Sequence, residues 1–223
     1  MTRKLYFEAI LKISAGVALM SVLLFLPAGT VDYPGGWLLM GVLFIPMFLA
    51  GLVMMAVNPN LLRSRLNAKE KEREQDMVIK LSGLMFLVGF ILAGLDFRFG
   101  WSNLPFTVNC VGAGLFLLAY ALYAEVLREN TWLSRIIEVQ ENQTVVSTGL
   151  YGIVRHPMYA ATLLLFLSMP IVLGSIPAFL VFLCYPLIIA KRIHNEEEVL
   201  SRDLPGYREY LQKVRWRLIP YIW

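Results

Sequence analysis

Along this chain, long uncharged stretches alternate with short polar ones. Ile13 to Gly29 carries no charge, and neither does Gly35 to Val57. Met77 to Leu95 contains only Lys80, near its end, where a long side chain can reach the interface. Leu104 to Ala124 is a fourth uncharged run, and Met158 to Ala190 is a fifth, of 33 residues. A bilayer core about 30 Å thick takes about 20 apolar residues of helix to cross. The first four runs therefore predict one transmembrane helix each. The fifth would be about 50 Å long as a straight helix, too long for one crossing. Gly174-Ser175 followed by Pro177 interrupts its middle. The pattern predicts a helical hairpin over 158–190 with two short passes. The expected fold class is thus all-α: a polytopic transmembrane helix bundle of about six crossings.

Composition supports this. The chain has 223 residues, of which 58% are hydrophobic and 16% charged. Soluble domains are nearer half apolar and a quarter charged. The net charge of +4 matters less than its placement. With six crossings, 19 of the 20 Lys and Arg residues fall on one side, and Arg98 alone on the other. Cytoplasmic loops are the ones enriched in Lys and Arg, so both termini are expected in the cytoplasm. No small-x-small cleavage site follows the first run, which is expected to be a retained span and not a signal peptide. The loop from Asn58 to Asp76 mixes both signs, as in KEKEREQD, and reads as a solvated surface helix. Nucleic-acid binding wants unbalanced positive charge and is not expected. Cys110 and Cys184 lie in apolar runs and are expected to be packed thiols. No zinc-type spacing occurs, and no metal is expected.

Chemistry is sparse in the first four spans. Gly112 and Gly114 suggest close helix packing rather than a nucleotide loop. Asp96 and Arg98 read as interfacial residues, and Asn109 needs a partner within its span. The C-terminal third differs. GLYGIVRHPMY, Gly149 to Tyr159, stands before the hairpin; KRIHNEEEVL, Lys191 to Leu200, stands after it. A closed hairpin brings the two together. His156-Pro157 marks a helix start, because proline fits the first turn. His156 then sits where unpaired N–H groups favour a ligand carboxylate, or else Arg155 and His156 are interfacial anchors. Arg192 and Glu196, four apart, share one helix face. They read either as a surface ion pair or as a guanidinium placed to clamp a carboxylate or phosphate at the membrane edge.

Gly149-Leu150-Tyr151, Arg155-His156-Pro157-Met158-Tyr159, Arg192-x-x-x-Glu196-Glu197, Leu200, Gly206-Tyr207, Tyr210 and Arg217-x-x-Pro220 occur in order. Over about Glu138 to Trp223 they resemble the isoprenylcysteine carboxyl methyltransferase family, which also includes phospholipid methyltransferases. Ala160-Ala161 stands where many members have glycine, and Pro205-Gly206 where many have Phe-Gly. The resemblance implies methyl transfer from S-adenosylmethionine to a lipophilic acceptor in the membrane. It divides the chain into a four-span region, 1–127, and a cofactor-binding catalytic region, 128–223, with a cytoplasmic pocket and a C-terminal cytoplasmic helix. Carried over by position, Gln140, Gln143, Thr144, Val145, Val146, Tyr151, His156, Pro157, Met158 and Tyr159 line the cofactor pocket. Glu196 contacts the cofactor and Arg192 orients the acceptor; these two are the catalytic pair.

A carboxylate acceptor, such as a C-terminal isoprenylcysteine or a similar isoprenoid acid, is ionised at pH 7 and needs no general base. A phospholipid amine must lose a proton, with Glu196 or Glu197 as base. The alternatives are an NADPH-dependent isoprenoid or sterol reductase and a non-catalytic membrane scaffold. Prenylated acceptor, membrane lipid and bilayer are the expected partners.

Overall fold

The computed structural model describes residues 2–57, 73–133 and 139–223. Of the expected surface helix at 58–76, residues 58–72 lie outside them, as does Arg135. Eight α-helices are described: α1 (Thr2–Ala28), α2 (Pro34–Val57), α3 (Arg73–Phe99), α4 (Phe106–Glu129), α5 (Pro157–Leu173), α6 (Ile176–Phe182), α7 (Tyr185–Asp203) and α8 (Tyr207–Lys213). A 3₁₀ turn, Gly149–Gly152, precedes α5. The fold is the all-helical bundle the hydrophobic runs predict. Helix is the form that pairs every backbone group within its own segment, which hydrocarbon demands. Tyr6–Ala28, Pro34–Val57, Met77–Phe99, Phe106–Glu129 and Ile176–Asp203 are long and apolar enough to cross a bilayer. Pro157–Leu173 is apolar but shorter.

The hairpin turns where Gly174-Ser175 predicts it. Gly174 takes a left-handed conformation, φ 70°, which glycine adopts without cost. Its N–H reaches Ile171 O at 3.0 Å, and the N–H of Ser175 reaches Pro170 O at 3.0 Å, a Schellman closure. Ser175 Oγ then accepts from Ala178 N–H at 3.2 Å and caps α6. Two distant side chains satisfy the last carbonyls of α5: Asn109 Nδ2 donates to Val172 O and Tyr33 Oη to Leu173 O, both at 2.8 Å. The partner Asn109 requires is therefore the end of the hairpin's first arm.

The return arm is broken between α6 and α7. Pro186 has no N–H to give the carbonyl of Phe182, so the helix restarts at Tyr185. The arm's apolar run ends at Ala190. From Lys191 onward α7 carries charged residues.

The bundle packs α5 closely against α4. A Cβ on Gly112 would sit 2.6 Å from Val172 N, so glycine sets that approach; Gly114 meets nothing within 4 Å. The core at the centre is built on Leu24, Leu39, Phe116, Val172, Phe182 and Ile193. Phe86, Phe90, Phe166 and Phe182 interlock with edge-on and tilted contacts. Cys110 and Cys184 are exposed on the outer surface and do not pack inside as expected.

Candidate functional site

The site forms where the hairpin's two ends, the 3₁₀ turn and the C-terminal tail converge. The turn is hooked to α4: Glu129 Oε2 accepts from Leu150 N–H at 3.0 Å. Gly149, φ 48°, leaves room for that carboxylate, which a Cβ would strike. Asn130 Nδ2 donates to Tyr151 Oη at 2.9 Å, and Tyr210 Oη donates to Tyr151 O at 2.7 Å. The tail runs back along the segment before α5: Arg155 N–H donates to Trp216 O at 2.8 Å and His156 N–H to Arg217 O at 2.9 Å. His156 is the residue before the first turn of α5, with Pro157 in that turn.

Glu197 pins this assembly. It is buried, and its Oε1 lies 3.1 Å from His156 Nε2 and 3.2 Å from Arg155 Nη1. Its Oε2 accepts from Arg217 Nε at 2.9 Å. Burial on its own raises this carboxyl. Hydrogen bonds from His156 and Arg217, with the charges of His156 and Arg155, outweigh it and bring the pKa down to about 2. Both oxygens are engaged, and Glu197 does not line the cavity. It ties α7, the start of α5 and the tail together. Glu198 instead pairs with His194 at the surface, 3.3 Å away.

Glu196, one residue earlier, faces the cavity. Tyr159 Oη donates to Glu196 Oε2 and accepts from Arg192 Nε at 2.9 Å. One hydroxyl of α5 thus joins the cation and the carboxylate that stand one turn apart on α7. Arg192 also lies over the Tyr159 ring, 6.0 Å from its centroid. Of the residues carried over from the resemblance, Gln143, Thr144, Val145, Val146, Tyr151, His156, Met158, Tyr159, Arg192 and Glu196 share the cavity wall. Gln140 and Pro157 are not on it. Gln140 N–H donates to Gln143 Oε1 at 2.8 Å and its Nε2 to Trp132 O at 2.7 Å, so it braces the loop behind.

Sequence reasoning gave no site role to the remaining wall: Asn130, Trp132, Leu133, Arg155, Leu200, Leu204, Tyr207 and Tyr210. A signal was present for two of them, since Tyr207 and Tyr210 stand three apart and share a helix face. Burial, foremost, pushes both phenols above the ordinary tyrosine value, so both are neutral hydroxyls at pH 7. The Tyr207 hydroxyl is buried without a hydrogen-bond partner among the described residues. The wall therefore offers a carboxylate, two guanidinium groups, an imidazole and several aromatic faces. That donor and acceptor set fits an amino-acid-bearing, adenine-containing cofactor.

Residues 111–202 match the model of the isoprenylcysteine carboxyl methyltransferase (ICMT) family. The match starts within α4 and ends within α7, spanning RHPMY and the Arg192–Glu196 pair, and bears out the resemblance read from the sequence. The fold is similar to a solved structure of the eukaryotic intramembrane Ras methyltransferase ICMT, with TM-score 0.60 and 20% identity, over 96% of this chain and 77% of that one. Delta(14)-sterol reductase TM7SF2 of Mus musculus is 27% identical over 90 residues, 39% of this chain and 22% of that protein. Cobalt-zinc-cadmium resistance protein CzcN of Cupriavidus metallidurans is 26% identical over 130 residues, 57% of this chain and 58% of that protein. The chain spans less than two thirds of the length of each of these curated relatives.

Proposed function

From an ICMT-family region on an ICMT-like fold, we propose that this chain is a membrane methyltransferase that uses S-adenosylmethionine and esterifies a lipophilic carboxylate. The observation that carries the reading is the Tyr159 hydroxyl joining Arg192 to Glu196 on the cavity wall, where α7 leaves its apolar run. When bound, the cofactor supplies an electrophilic methyl group on a sulfonium. The chain's own residues do the rest. Glu196 suits the cofactor's ammonium, and Tyr151 and Tyr159 offer aromatic faces to its adenine or sulfonium. Gln143, Thr144, Val145, Val146, His156 and Met158 complete the wall. Arg192 holds the acceptor carboxylate, and a carboxylate ionised at pH 7 needs no base. Positioning of this kind is worth roughly 7–11 kcal/mol. An apolar acceptor, an isoprenylcysteine or a similar isoprenoid acid, reaches Arg192 from the hydrocarbon beside it. The cofactor enters from the cytoplasmic side. In this reading 1–127 is the membrane scaffold and 128–223 the catalytic region.

Calorimetric titration of the purified protein separates the readings. S-adenosylmethionine binds and NADPH does not; the reverse result sinks the proposal. The match to a sterol reductase favours NADPH as the rival ligand. Glu196→Ala weakens cofactor binding, whereas Arg192→Ala leaves it nearly intact and abolishes methylation of membrane extracts. Normal methylation by both variants would refute the assigned roles.

A further inference from the structure

A second cavity, of about 260 Å³, lies at the far end of α5. Leu173 and Gly174 are on its wall, whereas His156 and Met158, at the other end of the helix, are on the wall of the first. Seventeen residues of helix place the two about 25 Å apart. Asp96 lines this second cavity and is only 2% exposed. Its Oδ1 accepts from Ser102 N–H at 2.6 Å and its Oδ2 from Ser102 Oγ–H at 2.7 Å. Among the described residues it has no cationic partner. Asp96, read from the sequence as an interfacial residue together with Arg98, points inward at this end of the bundle, whereas Arg98 lies against Gly29 and Phe99. A buried carboxylate without a counter-charge is costly, and its lone pairs exceed the two donors Ser102 supplies.

The other groups on the wall have the same polarity. Asn109 gives its amide N–H to Val172 O, which leaves its carbonyl oxygen as an acceptor. Tyr33 gives its O–H to Leu173 O and also presents a lone pair. No Lys, Arg or His lines the cavity. Tyr33, Phe97 and Phe106 also line the cavity: Tyr33 and Phe97 stack on each other at 4.2 Å between centroids, and Phe106 stands on the exposed rim. Among the described residues no three His, Cys, Asp or Glu side chains gather. Trp37, Phe99 and Trp101 are exposed around this end of the bundle, the aromatic belt of a membrane–water interface.

We infer that this cavity is a binding site for a primary ammonium group, held by Asp96, Asn109 and Tyr33 and faced by aromatic rings. Three N–H donors meet three acceptors, and the rings attract the cation. The depth is that of lipid headgroups, so the ammonium comes from an ethanolamine headgroup or from a free amine.

The test uses the purified protein in micelles holding equal amounts of phosphatidylethanolamine and phosphatidylcholine, read by native mass spectrometry. A parallel arm titrates free ethylamine and follows thermal unfolding. A lipid-borne ligand appears as phosphatidylethanolamine retained at least about tenfold over phosphatidylcholine. A free ligand appears as a raised unfolding midpoint with ethylamine and no lipid preference. In either arm Asp96→Asn abolishes the effect and Ser102→Ala keeps it, because Ser102→Ala removes the cap but not the charge. Phe106→Lys, on the exposed rim, supplies a tethered ammonium and also abolishes the effect. The proposal is overturned if the unaltered protein shows neither effect. It is equally overturned if Asp96→Asn and Ser102→Ala behave alike, or if Phe106→Lys retains the ligand.

Discussion

Glu196 and Glu197 are adjacent in the chain, and their side chains leave α7 about 100° apart. One meets the cavity through Tyr159; the other is enclosed by Arg155, His156 and Arg217. The second has a measurable signature. Its pKa is about 2 when folded against 4.5 for a free glutamate carboxyl. Because the folded value is depressed, its stabilisation is full above about pH 4.5 and disappears as pH falls toward 2. Thermal unfolding of the protein in detergent over that window should lose a component of about 3 kcal/mol. Glu197→Gln should remove that component and destabilise the fold at pH 7 by about 3–5 kcal/mol, since buried cations lose their counter-charge. Tyr159 acts through its neighbours. With Tyr159→Phe, kcat should fall by about 10²-fold while cofactor affinity, followed by calorimetry, changes much less. Weakened cofactor affinity with kcat unchanged would mean that the hydroxyl serves binding alone. Gly149→Ala must place a Cβ on the Glu129 carboxylate in a left-handed backbone. A lowered unfolding midpoint, at a cost of about 2 kcal/mol or more, is the expected result.

At the scale of elements, α5 is the member on which the others depend. It touches α4 through Gly112, and its last carbonyls are held by Asn109 and Tyr33. Gly112→Val forces α4 and α5 apart at backbone level, and overpacking of this kind costs about 1–3 kcal/mol. The same shift pulls Asn109 from Val172 O, so the unfolding midpoint should fall further than in a matched Gly114→Val variant, whose position meets nothing. The hairpin was legible because three local signals agree: an uncharged run too long for one crossing, a glycine able to turn left-handed and a serine able to cap. The break before Tyr185 was not read, although Pro186 marks it. The separation of Glu196 from Glu197 was not legible either. It depends on which face of α7 the tail covers, and the tail is placed by long-range bonds such as Arg155 N–H to Trp216 O. The inward turn of Asp96 was hidden for the same kind of reason, since Ser102 and Ile176 meet only in the folded bundle.

For the molecule as a whole, six crossings put 19 of the 20 Lys and Arg residues on a basic side and Arg98 on the other. The Arg192 end belongs with the basic one, so an impermeant thiol reagent applied from outside should label a cysteine placed near Gly174 and miss one near Asn142. Cys110 and Cys184 are first replaced, because both are exposed. The opposite labelling would invert the orientation. The bundle architecture was readable at this scale from run lengths alone, since lipid as a solvent leaves few other solutions. His156, Arg192 and Glu196 on the cavity wall stood out from the residues themselves, and the resemblance supplied Gln143, Thr144, Val145, Val146, Tyr151, Met158 and Tyr159.

The short first arm of the hairpin has a further consequence. At 17 residues α5 spans about 25 Å, less than an average hydrocarbon core of about 30 Å, whereas its neighbours run to 23 or more. Tilting would only shorten its span, and its ends are fastened, one by His156 to Glu197 and the other by Tyr33 and Asn109. A short span of this kind is matched by thinning the bilayer around it. A locally thinned leaflet lowers the water boundary toward the cavity and shortens the path an apolar acceptor travels to meet a water-soluble cofactor. Turnover in vesicles of graded acyl length should peak in thin bilayers and decline as the chains lengthen, making membrane thickness itself a control on rate.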